Sequence, residues 1–349
     1  MPTVPTVPGG PTAASLTARN PRVPTERLLA ELVPPRHFAD ESFDTYRPDP
    51  AYPSQARAVE RLRAVASEVG RAGAGGGWFG LRRRAAPAAV YLDGGFGVGK
   101  THLLTSLVRA VGPEASAYGT FVEYTNLVGA LGFGPTVEAL GARRLVAIDE
   151  FELDDPGDTV LMSRLLRELA DRDVSLAATS NTLPGSLGEG RFAAEDFLRE
   201  IQALADRFEV LRVDGEDYRH RVPVTDLGGL PDDVVRATAA GRPGATVDGF
   251  TELLDHLAQI HPSRYGALLD DVALVGLTGV RPVEHQSTAL RLVVLVDRLY
   301  DRDVPVLLGG SGVQGLFPAE MLAGGYRKKY YRALSRLGAL AEQGRSRAA

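Results

Sequence analysis

The chain has 349 residues, enough for two domains, and its 44% hydrophobic content supplies a sizeable core. A net charge of −5 argues against a general nucleic-acid coat or an anionic-membrane binder. The absence of Cys excludes disulfides, zinc–thiolate sites and Cys nucleophiles. No apolar run approaches the roughly 20 residues of a membrane span, and the N-terminus lacks the apolar stretch of a secretory signal, so a cytoplasmic location is expected.

Residues 1–25, rich in Pro, Thr and Gly, read as a disordered tail. A helix is expected from Thr25 through Leu28, Leu29 and Leu32, then an extended segment over 38–55 and a helix over 54–69 capped by Ser54. A Gly- and Arg-rich loop follows over 70–86. The run 88–95 reads as a buried strand entering a glycine turn, 101–111 as a helix, and 121–131 as either strand or helix. Strands at 143–150, 174–181 and 209–213 alternate with helices at 159–172 and 193–208. The pattern implies an α/β core with a parallel sheet covered by helices on both faces, over 26–224. Gly, Pro and Asp cluster at 224–245, and the remainder, 225–349, reads as a smaller mixed α/β region with strands near 272–277 and 304–310 and helices near 251–260, 287–302 and 318–343. Residues 145–181 and 272–312 share one order of strand, loop, helix ending in Arg-Asp, and strand, a likeness common between such units.

Gly94, Gly95, Phe96, Gly97, Val98, Gly99, Lys100 and Thr101 match G-x-x-x-x-G-K-[ST], between a strand and a helix that begins through His102. Glycines let backbone N–H groups wrap a β-phosphate, the helix start adds its positive dipole end, Lys100 reaches the β- and γ-phosphates, and the Thr101 hydroxyl can ligate Mg²⁺. At the end of LVAIDE, Asp149 would hold Mg²⁺ and Glu150 would polarise the attacking water. Asn181, ending the next strand, is placed to hydrogen-bond the γ-phosphate or that water. Asp149 is followed by Glu, Phe and Glu and so opens no D-x-x-G, and no N-K-x-D base reader occurs, so the implied nucleotide is ATP, with hydrolysis as the implied reaction. Arg191, Arg199 and Arg207 are candidates for the transition-state cation, one of them in a neighbouring subunit's site, and Arg291 for a nucleotide contact from the second domain.

The order FDTYRPDPAYPSQ, P-loop, IDEFELDDPGD, ATSN, followed late by TALRLVVLVDRLYDRDVPVLL and YYRALSRL, resembles the ZapE-like AAA+ ATPases over about 26–340. The resemblance implies an AAA+-type P-loop fold with Lys100 and Thr101 as Walker A, Asp149 and Glu150 as Walker B, and Asn181 as sensor-1. It places Tyr46 to Gln55 near adenine. It also implies a homo-oligomer that remodels a protein partner of the bacterial division ring. Residues 114–131 carry no His where that family has a His-rich segment, and Ala194 stands at the family's arginine position, with Arg191 three residues earlier. An alternative is a nucleotide-gated adaptor of helicase-loader type, in which 77–84 and 326–332 contact single-stranded DNA. The net charge makes nucleic acid the less favoured partner.

Overall fold

The computed structural model describes residues 14–73, 87–95, 97–151, 156–181, 206–216 and 228–348. The chain divides into two units, Pro24–His220 and Met1–Val23 together with Arg221–Ala349.

Among the described residues the first unit is built on five parallel strands, β1 (Ala89–Asp93), β2 (Ser116–Thr120), β3 (Leu145–Asp149), β4 (Ser175–Ser180) and β5 (Glu209–Arg212), in the order β2-β3-β4-β1-β5. Every residue of β3 and β4 is buried, which requires cover on both faces of the sheet. Alternation along the strands sorts the cover. Val90, Leu92, Leu145, Ala147 and Ala177 join one core with Leu62 and Val65 of helix α2 (Pro53–Gly73) and Leu103, Leu104 and Leu107 of helix α3 (Lys100–Val111). The opposite parity carries Tyr91, whose ring meets Phe151 and Phe208 edge-on at 6.3 and 5.8 Å. Helices α4 (Phe121–Leu131), α5 (Phe133–Gly141) and α6 (Pro156–Ala170) complete the described core, and the short helix α1 (Thr25–Ala30) precedes Leu32, whose carbonyl accepts from Tyr118 N–H at the β2 edge.

Residues 121–131, ambiguous in sequence, are helical because Thr120 and Glu123 form a reciprocal capping box. The strand β2 just before it was not expected. Its Ser, Ala and Gly content carries little strand signal, and its pairing with the apolar β3 supplies the order that propensity does not. Helix α2 also runs on to Gly73, beyond the loop start expected at 70. The helix expected over 193–208 and the loop over 74–86 lie outside the described residues.

The second unit holds three parallel strands in the order β6 (Ala245–Gly249), β7 (Leu274–Thr278), β8 (Val306–Leu308). Among the described residues six α-helices accompany them: α7 (Asp232–Ala239), α8 (Phe250–Gln259), α9 (Tyr265–Leu268), α10 (Gln286–Asp301), α11 (Ala319–Ala323) and α12 (Arg327–Ala348). Residues 14–17, within the disordered tail expected over 1–25, are instead built into this unit, and residues 1–13 lie outside the described set. Ala14 bridges Thr246 at the β6 edge, Leu16 is fully buried, and the buried Asp248 carboxylate accepts from the N–H groups of Leu16 and Thr17 and from the Ser15 hydroxyl. Three donors satisfy a charge that could not otherwise be buried.

The likeness between 145–181 and 272–312 reaches further than a shared order of elements. Asp149 pairs Thr120 in the β2–β3 ladder as Thr278 pairs Gly249 in the β6–β7 ladder. The next residue is left-handed in both, Glu150 at φ 53° and Gly279 at φ 64°. Helices α6 and α10 are both followed by a left-handed Asp, Asp173 and Asp303, and the next Val N–H donates to the carbonyl of Leu169 or Leu299. Leu230 bridges Gly309 beyond β8, the place that β1 holds beyond β4, and α7 follows through Pro231 alone. The second unit therefore repeats the order of the first without a glycine loop.

Helices α10 and α12 are tied by Asp297, which accepts from Arg332 at 2.9 Å and Arg336 at 2.5 Å. Burial alone would raise the Asp297 pKa, but the two guanidiniums outweigh it and hold the group below its ordinary value. A carboxyl depressed in the native state stabilises above the unfolded pKa of about 4 and loses that contribution as pH falls through the native value. Asp297→Asn is expected to destabilise the chain by about 2–4 kcal/mol in urea titrations at neutral pH, because two part-buried arginines lose their counter-charge. The difference from the parent should shrink as pH is taken below about 4.

Candidate functional site

The register sets Asp93 level with Ser180 and Arg212, and Thr120 level with Asp149, at one edge of the first sheet, the carboxyl ends where open α/β sheets hold ligands. The loop from Gly94 to Gly99 leaves that edge between β1 and α3. Its course is imposed by backbone. Gly97 and Gly99 have φ of 70° and 87°, values that L residues rarely adopt, and a Cβ on Gly94 would lie 2.2 Å from the Val213 carbonyl oxygen. Phe96 lies outside the described residues.

Lys100 opens α3 and is only 9% exposed. Its Nζ donates to the carbonyls of Gly94 and Gly95 and, at 2.8 Å, to Oδ1 of Asn181, which follows β4. Thr101 Oγ1 donates to Asp149 Oδ2 at 3.0 Å. The loop lysine, the hydroxyl beside it, the carboxylate of β3 and the amide beyond β4 thus form two adjoining polar contacts at one end of the sheet. A hydroxyl and a carboxylate are hard oxygen donors that suit Mg²⁺ with most of its water shell retained. Among the described residues no group of three or more acidic, His or Cys side chains is arranged for a metal, so a cation here would take further ligands from nucleotide and water. Glu150 follows Asp149 in a left-handed conformation, and its N–H donates to Asp149 Oδ1 and to Thr179 Oγ1, each at 3.1 Å.

A model of the AFG1-like ATPase family matches residues 22–227 and 232–346. The chain belongs to this family. Among curated relatives, cell division protein ZapE of Escherichia coli strain K12 is 26% identical over 264 residues, covering 64% of this chain and 70% of ZapE. ZapE of Escherichia coli O157:H7 matches to the same extent. Among solved structures, DnaI aligns over 54% of this chain and 98% of its own at 13% identity and a TM-score of 0.41, and AMPPCP-bound DnaA from Aquifex aeolicus over half of each chain at 11% identity and a TM-score of 0.38.

The remaining residues singled out in this AFG1-like ATPase take defined places. Tyr46 lies against the loop: its hydroxyl donates to the Val98 carbonyl at 3.0 Å, and burial pushes its pKa up to about 12. Gln55 is buried and holds backbone, accepting from Asp49 N–H and donating to the Asp214 carbonyl, while Ser54 accepts from Asp214 N–H rather than capping α2. The His102 ring turns to 41–45, with Nε2 2.9 Å from the Ser42 carbonyl, 3.0 Å from Thr45 Oγ1 and 3.2 Å from Glu41 Oε2. Arg207 is half-exposed, 3.9 Å from Asp171, and Arg191 and Arg199 lie outside the described residues. Arg291 belongs to the second unit, where it donates to the carbonyls of Leu257 and Ile260 at the end of α8. Of the basic stretch 326–332, Tyr330 is buried and Arg332 is paired with Asp297, while residues 77–84 are outside the described set. No described helix is long and apolar enough to cross a membrane.

Three residues of the site were not anticipated. Tyr118 of β2 donates to Asp149 Oδ2 at 2.8 Å, and Thr179 of β4 donates to Asp149 Oδ1. Asp93 is 5% exposed, and burial raises its pKa against the opposing pull of Arg212 and Lys100. The only sequence signal for Asp93 was its place directly before Gly94.

Gly99→Ala would force φ of 87° on a Cβ that meets the Tyr46 ring at 2.6 Å. It is expected to cost roughly 1–3 kcal/mol of stability in urea titrations and at least about tenfold in affinity for a fluorescent ATP analogue. Gly134→Ala, in open space on α5, should leave affinity unchanged and stability equal or slightly higher.

Proposed function

We propose that the chain is an ATP-hydrolysing AAA+ motor that works on a protein partner as a homo-oligomer in the cytoplasm, in the process of cell division named for its ZapE relatives. The observation that carries the reading is the convergence of Lys100 on Asn181 and of Thr101 on Asp149 at one end of the sheet, in a chain of the AFG1-like ATPase family.

In this reading the loop amides and the Lys100 ammonium take the β- and γ-phosphates, and the α3 N-terminus adds its dipole. Mg²⁺, held by Thr101 and through water by Asp149, would offset phosphate charge. Glu150 accepts the proton of the attacking water, and its left-handed backbone is held by the bonds of its N–H to Asp149 and Thr179. Asn181 orients that water or the γ-phosphate. Tyr46 borders the loop on the side assigned to the base. Arg191 is the proposed cation supplied across a subunit boundary, and the identity of a division-ring protein as the partner rests on the ZapE relatives alone. Burial of Tyr330 and pairing of Arg332 remove two members of the basic stretch from a nucleic-acid contact, which favours the motor over the DNA adaptor.

Glu150→Gln should lower ATP turnover by about 100-fold or more while keeping ATP affinity within about threefold of the parent. Lys100→Ala should lose ATP binding itself. Phosphate release and equilibrium titration read the two effects separately, and normal turnover by Glu150→Gln would remove Glu150 from the mechanism.

A further inference from the structure

The Asp149 carboxylate is 5% exposed and accepts hydrogen bonds from four groups. Oδ2 takes the hydroxyls of Thr101 and Tyr118, and Oδ1 takes the Thr179 hydroxyl and the Glu150 N–H. Donors on both oxygens fix the plane of the group. Thr101 has one hydroxyl hydrogen, and it points to Asp149, so the lone pairs of Thr101 Oγ1 are left for a cation. Tyr118 and Thr179 themselves are 3% and 2% exposed and belong to the strands on either side of β3. Alternation puts Tyr118, Asp149 and Thr179 on the sheet face that carries α3, which is why strands β2 and β4 can both reach the β3 carboxylate.

We infer that Tyr118 and Thr179 are positioning residues for the nucleotide-bound metal: they clamp Asp149 from its two neighbouring strands and so direct the Thr101 hydroxyl. The inference rests on the ATP·Mg²⁺ reading of the same site. Outer groups that orient a metal-binding residue are each worth about 10–100-fold in metal affinity. Removing the Tyr118 hydroxyl leaves Oδ2 held by Thr101 alone and so loosens the carboxylate on the side of the metal, while the ring still fills the α3-side core.

The test uses the full chain with ATP and Mn²⁺ as the probe, reading bound Mn²⁺ by electron paramagnetic resonance, and the Mg²⁺ concentration for half-maximal turnover. Tyr118→Phe should weaken Mn²⁺ binding about 10–100-fold and shift the Mg²⁺ requirement upward by the same factor. ATP affinity in excess chelator should stay as in the parent, a pattern that a general loosening of the core would not give. Thr179→Val should act likewise, and Thr179→Ser, which keeps the donor, should restore parental metal affinity. Parental Mn²⁺ affinity in a folded Tyr118→Phe overturns the inference for Tyr118. If thermal melting shows Tyr118→Phe unfolded, equal metal affinity in Thr179→Val and Thr179→Ser overturns the clamp. A parent chain that takes up no Mn²⁺ with ATP would instead overturn the ATP·Mg²⁺ reading.

Discussion

A carboxylate buried at the end of a β-strand keeps its charge only if donors replace the water it has lost, and much of the first unit is arranged to supply them to Asp149. The donors come from α3, β2, β4 and the peptide after β3, so four separate segments must be in register before the group is satisfied. That demand fixes the strand order in which β3 has β2 on one side and β4 on the other. It also ties the phosphate loop to the sheet, because the Thr101 hydroxyl is one of the four and Lys100, its neighbour in sequence, reaches Asn181 beyond β4. A single charge therefore links the loop that would grip phosphate to the strands that would handle metal and water.

The second unit separates this chemistry from its scaffold. It repeats the parallel order, the register and the left-handed residue after the middle strand, but Thr278 stands where Asp149 stands and Gly279 where Glu150 stands. At the start of α7 the chain passes from Leu230 through Pro231 to Asp232, which puts a carboxylate near the helix start where the first unit has Lys100. Its Oδ1 accepts from Gly279 N–H, and a Cβ on Gly309 would lie 2.0 Å from it, so the carboxylate sits at the strand ends. Like charge at that point opposes phosphate. The same topology thus carries a glycine loop with Lys100 in one unit and none in the other, and the chemistry open to each follows the side chains at the strand ends rather than the fold.

What could be read from sequence follows the same division. The glycine loop was legible because its glycines are demanded by backbone geometry, and β3 and β4 because burial on both faces leaves a short apolar run that ends in polar residues, Leu145–Ile148 before Asp149 and Leu176–Ala178 before Thr179. Strands β2 and β6 were not. SAYGT and ATVDG hold small or turn-favouring residues, and both are ordered by pairing with β3 and β7, partners about 30 residues away. Missing β2 concealed Tyr118, since a tyrosine in an unassigned stretch has no face. The capture of Ser15–Thr17 by Asp248 was invisible for a related reason: the donors and the charge are more than 230 residues apart, and composition alone made the segment look like tail.

Arginines show where a motif reading must stop. LVDRLYD and SRL are among the residues that carry the likeness to the ZapE-like proteins, and the structure joins them: Asp297 of the first accepts from Arg336 of the second, whose guanidinium also lies 5.1 Å from the Tyr300 ring. Their role in the described unit is to hold α10 against α12. Arg291, one turn and a half earlier on α10, donates to the Leu257 and Ile260 carbonyls, groups left without helical partners at the end of α8, and lies within 3.4 Å of the Tyr265 hydroxyl. Each contact supplies a reason for the residue that needs no nucleotide. A recurring arginine is evidence of chemistry only after its nearest acceptors are known; the partners of Lys100 and Thr101, Asn181 and Asp149, are by contrast neighbours at one sheet edge.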